Sequence, residues 1–393
     1  MITPEIKAIM TRELMLEFAK ATGLSPEASL PRRYLWTDAY AVCNFLGLYR
    51  QTNDEQFRRL ALLLVDQVHA TLGRHRRDEP RIGWISGLDE EEGLRHPSRG
   101  GLRIGKEMKE RRPGEPFDER LEWNRDGQYY HYLTQWLHAL HCVSKLTGDP
   151  IFHRWAIELA KTAHAKFTYV PPSGEMKRMY WKMSVDLSYP LVWSMGHHDP
   201  LNGLVTYSEL QSAAGNYSER SPSPDLDAEI ADMAVMCRGK NWSTDDPLGI
   251  GGLLIDAYKM AQLIVAGRFT RPELLGTVLD DSLTGLDCFA RKFPFKLPAH
   301  YRLAFRELGF SIGLQATERL QRLVEQYPDV FTKRHNVNSR IKRLMEYARL
   351  SELIHAFWDE GKNRESDTWT EHRDINMVML STSLSPDGYL LPL

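Results

Sequence analysis

The sequence predicts an all-α fold in which six helical pairs form an inner and an outer ring, a single domain over residues 1–393. Three observations carry this. Strongly apolar helical stretches alternate with amphipathic ones, as two concentric layers require. Apolar-to-amphipathic connections are short turns, Thr52-Asn53-Asp54 and Thr147-Gly148-Asp149-Pro150, whereas the return connections are long and rich in Gly, Pro and Trp. Long loops therefore gather on one face, where the apolar helices begin. Finally, a tryptophan followed within five residues by an aspartate opens the apolar stretches: Trp36 with Asp38, Trp123 with Asp126, Trp181 with Asp186, Trp242 with Asp245 and Asp246, Trp369 with Asp374.

Taken in order, residues 3–22 place Ile6, Ile9, Met10, Leu14, Phe18 and Ala19 at helical spacing, and Gly23 and Pro26 end that helix. Residues 36–50 form the first apolar helix and 54–73 its amphipathic partner. From 76 to 122 the chain reads as one long loop with glycines at 83, 87, 93, 100, 101, 105 and 114. A structureless stretch of that length is usually functional or disordered. The pattern repeats in an apolar helix over 127–147 and an amphipathic one over 150–167. A short extended piece, Met179 to Met183, leads into an apolar helix over 185–196, which turns at His198-Asp199-Pro200 into a helix over 201–214.

A Ser/Pro-rich break at 218–224 precedes a helix over 225–237. The apolar helix 250–266 is followed by 272–291, and 300–315 is coupled to 316–326. Residues 338–360 form one long amphipathic helix, and 374–384 the last apolar one. Inner helices are thus expected to start near 38, 126, 186, 246, 300 and 374. The N-terminal helix pairs with the C-terminal one and closes the ring.

Composition narrows the function. A net charge of −2 supplies no field to recruit nucleic acid, and no basic run alternates with aromatics as a single-strand binder requires. The longest unbroken apolar run, Leu60 to Val65, is far below a membrane span. Met1-Ile-Thr-Pro-Glu-Ile-Lys7 has no apolar core of a signal peptide, so a cytoplasmic location is expected. Cysteines 43, 142, 237 and 288 form no CxxC pair and read as reduced, mostly structural thiols. Ten Trp and sixteen Tyr are generous, and such rings suit sites that need apolar area with a polar handle.

The helix alternation and loop asymmetry resemble the (α/α)6 toroid of the six-hairpin glycosidases, shared with the N-acylglucosamine 2-epimerase group. The resemblance covers nearly the whole chain at the level of architecture. It implies a sugar site in the funnel formed by the inner-helix N-termini, and so at the Trp/Asp motifs. The plain reading of any one motif is a helix cap and a packed indole, since Asp is a preferred N-cap. The recurrence points instead to carbohydrate chemistry.

Glycosidic hydrolysis uses one protonated and one ionised carboxyl on opposite sides of the anomeric carbon. Asp126 and Asp186 are the first choices for these roles, with Asp38 and Asp245 next. Trp36, Trp123, Arg125, Tyr129, Tyr130, Trp181, Trp242, Asp246, Trp369, Arg373 and Asp374 are the expected substrate contacts. Trp123 and Trp242 are expected to stack on sugar faces. His131 is either a funnel base suited to an epimerase or isomerase, or a hydrogen-bonded core histidine.

His197-His198-Asp199 sits at a short turn away from the expected site, and no HExxH motif occurs, so neither metal nor cofactor is expected. The basic loop (Arg95, Arg99, Arg103, Lys106, Lys109, Arg111, Arg112, Arg120) is mostly a solvated one, yet a guanidinium from it could meet a uronate, sulfate or phosphate. The leading expectation is an intracellular glycoside hydrolase on a short oligosaccharide, neutral or anionic. A sugar epimerase or isomerase and a non-catalytic sugar-binding toroid are the alternatives. The partner in each case is a small carbohydrate.

Overall fold

The computed structural model describes residues 3–174, 176–215, 225–292, 294–331 and 336–391. Helix accounts for 65% of it and strand for 4%, an all-α protein. The chain divides into two compact units, one from residues 22–238 and one from residues 1–21 together with 239–393. The first helix, α1 (Pro4–Ala21), belongs to the second, terminal unit.

The central unit contains α2 (Leu35–Thr52), α3 (Glu55–Leu72), the short α4 (Glu90–Arg95) and α5 (Glu119–Asn124), β1 (Gln128–Tyr129), α6 (Tyr130–Thr147) and α7 (Pro150–Phe167). It continues with β2 (Thr168–Tyr169), β3 (Arg178–Met179), β4 (Lys182–Met183), β5 (Pro190–Val192), α8 (Asp199–Ala214) and α9 (Asp227–Met236). α2 is buried without interruption from Leu35 to Leu48, too apolar all round to be a surface helix. Asn53 ends it in the left-handed region at φ 55° and bonds back to Tyr49 O, and Asp54 then caps α3 through Gln56 N at 2.9 Å. Gly148 and Asp149 repeat that chemistry between α6 and α7, with Pro150 at the first turn. The two short turns therefore form as their sequences predict. α2 packs on α3 and α6, and α6 on α7 and α8.

Residues 185–196 do not form a helix, contrary to expectation. β1 pairs with β4 and β4 with β5, antiparallel throughout. Local polar side chains compete for the backbone here. Ser184 Oγ accepts the amides of Ser188 and Tyr189, and Asp186 Oδ1 accepts that of Ser188. Leu187 turns at φ 58°, and Pro190 has no N–H to continue a helical ladder. The apolar helix of this pair is α8, with Leu201, Leu204, Val205, Tyr207 and Leu210 buried, and α9 is its amphipathic partner. The third apolar helix thus starts at Asp199 rather than near 186.

The terminal unit adds α10 (Pro247–Val265), α11 (Leu274–Lys292), α12 (Ala304–Gln326), α13 (Pro328–Phe331), α14 (Val337–Met345), α15 (Leu350–Asp359), α16 (Asp367–Thr370) and α17 (Arg373–Leu384). Two expectations are corrected here. The two helices expected over 300–326 are one, because Gly309 and Gly313 are held inside α12 by its packing on α10. The single helix expected over 338–360 breaks between Met345 and Leu350, so that α14 and α15 each lay an apolar face on α12. α17 packs on α12 and on α1, which joins the two ends of the chain within one unit. α10 is long and apolar enough to cross a membrane by composition alone, but most of it is buried in this unit. The break expected at 218–224 lies outside the described residues.

α10 and α12 approach through glycine. A Cβ on Gly313 would fall 2.6 Å from Gly251 Cα, and one on Gly251 would fall 2.3 Å from Gly309 O. Gly252, also in α10, has nothing within 4 Å of such a Cβ. Gly313→Ala is therefore expected to force the helices apart and lower the unfolding free energy by about 1–3 kcal/mol. Gly252→Ala is expected to leave stability unchanged or raise it by up to about 1 kcal/mol through helix propensity. Urea unfolding of the two variants beside the parent checks the pair; equal effects would refute the close-packing account.

Candidate functional site

Asp126 organises the start of α6. Its carboxylate is fully buried and accepts hydrogen bonds from Arg103 Nη1 at 2.5 Å, from Arg76 Nη1 at 3.4 Å, and from the amides of Gly105 (3.0 Å), Lys106 (3.4 Å) and Gly127 (3.1 Å). Its own amide bonds to Met108 O at 2.8 Å. Two guanidiniums and three amides occupy a group that was expected to act as acid or base. Asp126 is also not the cap of α6, whose N-cap is Tyr129. Asp126 is a buried anchor that ties the 103–108 loop to the entrance of α6.

From that entrance the chain presents four rings in succession. Tyr129 is buried, and Tyr130 turns into the core, where its hydroxyl donates to Tyr207 Oη at 2.9 Å. His131 and Tyr132 are half-buried at the edge. Around them stand Trp181, parallel to His131 at 6.4 Å, and Trp123, edge-on to Trp181 at 5.1 Å and 46% exposed. Tyr34, just before α2, shares a 2.6 Å hydroxyl contact with Tyr132. Lys106 Nζ lies 5.2 Å from the Tyr34 ring centroid, and burial lowers its pKa.

Beneath the rings lies an ion pair that the sequence reading missed. Lys182 Nζ is buried and donates to Glu122 Oε1 (2.9 Å), Glu122 O (2.7 Å) and Arg125 O (2.8 Å), and it sits 5.3 Å from the Tyr129 ring centroid. Glu122 also accepts from Arg111 Nε at 3.0 Å. Its sequence signal is only a lysine directly after Trp181 in an apolar strand. Without the β1–β4 pairing, nothing brings Lys182 to Glu122.

Asp199 is the second missed residue. At the first position of α8 its side chain is buried, and its Oδ2 has no hydrogen-bond partner among the described residues. Burial pushes its pKa up from 3.8 to about 7, against an opposing pull from the Gly196 backbone. Its Oδ1 lies 4.0 Å from His131 Nδ1, and about a third of the His131 side chain remains accessible. The surrounding rings desolvate the imidazole and lower its pKa. Asp199, the last residue of the His197-His198-Asp199 turn, thus lies beside His131, contrary to its expected placement away from that residue.

The remaining expected residues scatter. Asp186 is a partly exposed turn residue bound by Ser184, Ser188 and Arg81, not a helix cap. Asp38 is buried in the first turn of α2, where it accepts the Tyr34 amide at 2.9 Å and faces Arg33 at 3.5 Å. Trp36 is buried beside Tyr40 and Tyr132. Arg125 pairs with Glu115 at 2.5 Å. In the terminal unit, Trp242 is completely buried and Trp369 is stacked on Trp358, so neither is a sugar platform. Asp245 is exposed and pairs with Lys292. Asp246 caps α10 through Gly249 N and pairs with Arg306, while Arg373 pairs with Glu17 and Asp374 lies in the first turn of α17.

The site is therefore local to the central unit. No protein-family model, curated protein or solved structure matches the chain. What the site does must be argued from its own geometry. It is an aromatic face around one partly exposed imidazole backed by a buried carboxyl whose pKa is raised.

A separate pocket of about 530 Å³ in the same unit is lined by Arg74, His75, Arg76, Arg77, Arg81 and Arg103. Among the described residues each of these arginines except Arg77 already holds a carboxylate: Glu90, Asp78 with Asp126, Glu79 with Glu110 and Asp186, and Asp126 respectively. Of the basic loop expected at 95–120, Arg95 pairs with Glu91 and Glu92, Arg103 with Asp126, Lys109 with Asp78 and Arg111 with Glu122.

The anchoring role of Asp126 predicts a stability effect. Asp126→Asn leaves Arg103 buried beside a neutral amide, and breaking a buried pair in this way costs about 3–5 kcal/mol. Asp245→Asn, at an exposed pair, is expected to leave the melting temperature unchanged. Thermal melts of both variants check this. A stable Asp126→Asn protein that had lost only turnover would restore the acid/base role.

Proposed function

We propose that the chain is a carbohydrate-active enzyme of the sugar epimerase or isomerase type, with His131 as the proton-transferring base and Asp199 behind it. The observation that supports this is the half-exposed imidazole set among Trp123, Trp181 and Tyr132, with Asp199 Oδ1 4.0 Å from Nδ1. Aromatic faces supply apolar contact for sugar rings with polar tips for hydroxyls. The two environments push the titrating groups apart: burial lowers the imidazole pKa to about 4, and burial raises that of the carboxyl to about 7, so that it is mostly protonated only below that pH. A neutral base with an acid beside it suits abstraction of a proton next to a carbonyl and its return to carbon or oxygen. With Nδ1 nearer Asp199, Nε2 is the nitrogen offered to substrate.

The finer architecture is part of this proposal: an (α/α)6 toroid of the six-hairpin kind. Buried helices α2, α6, α8, α10, α12 and α17 each pack on a more exposed partner, namely α3, α7, α9, α11, the pair α14 and α15, and α1. Six such pairs are what a toroid needs. On this reading the site lies at the starts of three successive inner helices, marked by Tyr34, His131 and Asp199.

Glycoside hydrolysis is the second reading, favoured by one observation: a buried carboxyl with a pKa of about 7 is a suitable general acid. One of its two first-choice carboxylates, Asp126, is consumed by Arg103 and Arg76. Product mass decides between them. Incubated with a panel of aldoses and ketoses in D2O, the epimerase or isomerase conserves the sugar and introduces solvent deuterium at the carbon beside the carbonyl. A hydrolase splits an oligosaccharide and leaves that carbon unlabelled.

His131→Asn is expected to lower kcat by about 10²–10⁴-fold while keeping the melting temperature, the size of a general-base contribution. Unlabelled, unconverted sugar from every member of the panel, or full activity in His131→Asn, would overturn the assignment.

The pH dependence has a definite sign. The folded-state pKa of Asp199, about 7, lies above its ordinary 3.8, so protonation favours the fold. That contribution is complete below pH about 4, is lost progressively as pH rises from about 4 to 7, and changes no further above that. Turnover that needs the protonated acid falls as pH passes through about 7, above the range in which stability is lost. Asp199→Asn, neutral at every pH, is expected to remove the loss of stability between about pH 4 and 7 and to flatten the limb of the rate profile above about pH 7. Unfolding free energy measured from pH 5 to 9 in both proteins checks the first expectation independently of any substrate.

A further inference from the structure

Away from the aromatic face, the interior of the central unit holds a cluster that the proposed chemistry does not use. Cys43 lies on α2, and His138 and Cys142 lie four residues apart on α6, which places the latter two on one helix face. α2 and α6 pack against each other, and this contact brings the three side chains together. All three are buried. One sulfur from each cysteine and a ring nitrogen of His138 lie within 4.8 Å of one another.

The finer geometry has the form of a coordination sphere. Cys142 Sγ is 3.6 Å from His138 Nε2. With metal–sulfur and metal–nitrogen bonds of about 2.3 and 2.0–2.1 Å, the edge of a tetrahedral zinc site between S and N is about 3.6 Å. The other ring nitrogen, Nδ1, faces Glu209 Oε2 at 3.7 Å, from α8. Metal-bound imidazoles characteristically turn their second nitrogen to a carboxylate, which fixes the ring and raises its basicity. His138 is so oriented that Nε2 points to the thiols and Nδ1 to the carboxylate.

We infer that Cys43, His138 and Cys142 form a binding site for one soft divalent ion of the Zn²⁺ type, with Glu209 orienting His138. Two thiolates and an imidazole are the donor set that selects zinc over magnesium or calcium, which prefer oxygen. Thiols become thiolates on binding and release their protons to solvent, so no oxidant or reductant is involved. The ion cross-links α2 and α6 below the residues that start them, Tyr34 and Tyr130. Three protein ligands leave the fourth position for a water.

The test uses the full-length protein purified under reducing conditions from cells grown in Zn²⁺-supplemented medium, and separately in Co²⁺-supplemented medium. The expected result is one metal ion per chain by elemental analysis. The cobalt form is expected to show a thiolate-to-cobalt charge-transfer band with the d–d bands of a tetrahedral ion. Cys142→Ser and His138→Gln are expected to lose the ion, and Glu209→Gln to weaken its retention about 10–100-fold against a competing chelator. Cys237→Ala, at a buried thiol outside the cluster, is expected to keep it.

Wild-type protein free of metal, or a charge-transfer band unchanged in Cys142→Ser, would overturn the site. So would a Cys43–Cys142 disulfide whose reduction gives thiols that still take up no metal. The wild-type measurement decides even where a variant fails to fold, and none of these readouts depends on sugar turnover.

Discussion

The buried contact between Asp126 and Arg103 is the constraint on which the candidate site depends. A carboxylate with no exposure to water has to be neutralised and hydrogen-bonded, or it will protonate or unfold its surroundings. Here neutralisation comes from a guanidinium 23 residues earlier in the chain, and the remaining lone pairs are filled by the amides of Gly105, Lys106 and Gly127. Arg103 is itself fixed by the carbonyls of Thr71 and Arg74 at the end of α3. One buried charge therefore ties the exit of α3, the middle of the long loop and the entrance of α6 into one arrangement. The loop that reads as structureless is ordered because it supplies the counter-charge.

The glycines of that loop belong to the same account. Gly101 has φ 76°, and a Cβ there would fall 2.1 Å from Gln128 Oε1. That oxygen accepts the Leu102 amide at 2.8 Å, while Gln128 Nε2 donates to Gly100 O and Val185 O. A side chain at 101 would displace the glutamine that joins the loop to β1 and to the turn after β4. Glycine richness here marks close approach of backbone to side chain, not freedom of motion.

The helical class and most of the helices were legible in the sequence, because they follow from periodicity and from cap residues such as Asp54 and Asp149. The helix expected over 185–196 failed because Val185, Leu187, Leu191 and Val192 are apolar without helical punctuation. Their structure is decided by Ser184, Asp186 and Ser188 bonding the local backbone and by strand pairing with β1. Within the site, Trp123, Trp181 and His131 were legible as candidates from residue type and position. Lys182 and Asp199 were not, since one is recognised by its pairing with Glu122 and the other by its burial. The Trp/Asp pattern misled in part because an aspartate at a helix start serves equally as a cap (Asp246), a buried anchor (Asp126) or a first-turn acceptor (Asp38). Sequence spacing cannot tell these apart; the partner does.

The two buried ion pairs divide the work at the entrance to α6. Asp126 with Arg103 fixes the backbone just before β1, and Glu122 with Lys182 fixes β4 against the end of α5. Tyr129 lies between them, buried, with the Lys182 ammonium over its ring. His131 follows two residues later on the first turn of α6, so its ring is positioned by backbone that both pairs hold. Trp181 precedes Lys182 directly, and the same pair therefore sets the platform parallel to the imidazole. A face built on polar anchors of this kind is rigid before any ligand arrives, and preorganised groups lose less freedom on binding. Such rigidity suits the proton transfer proposed for His131.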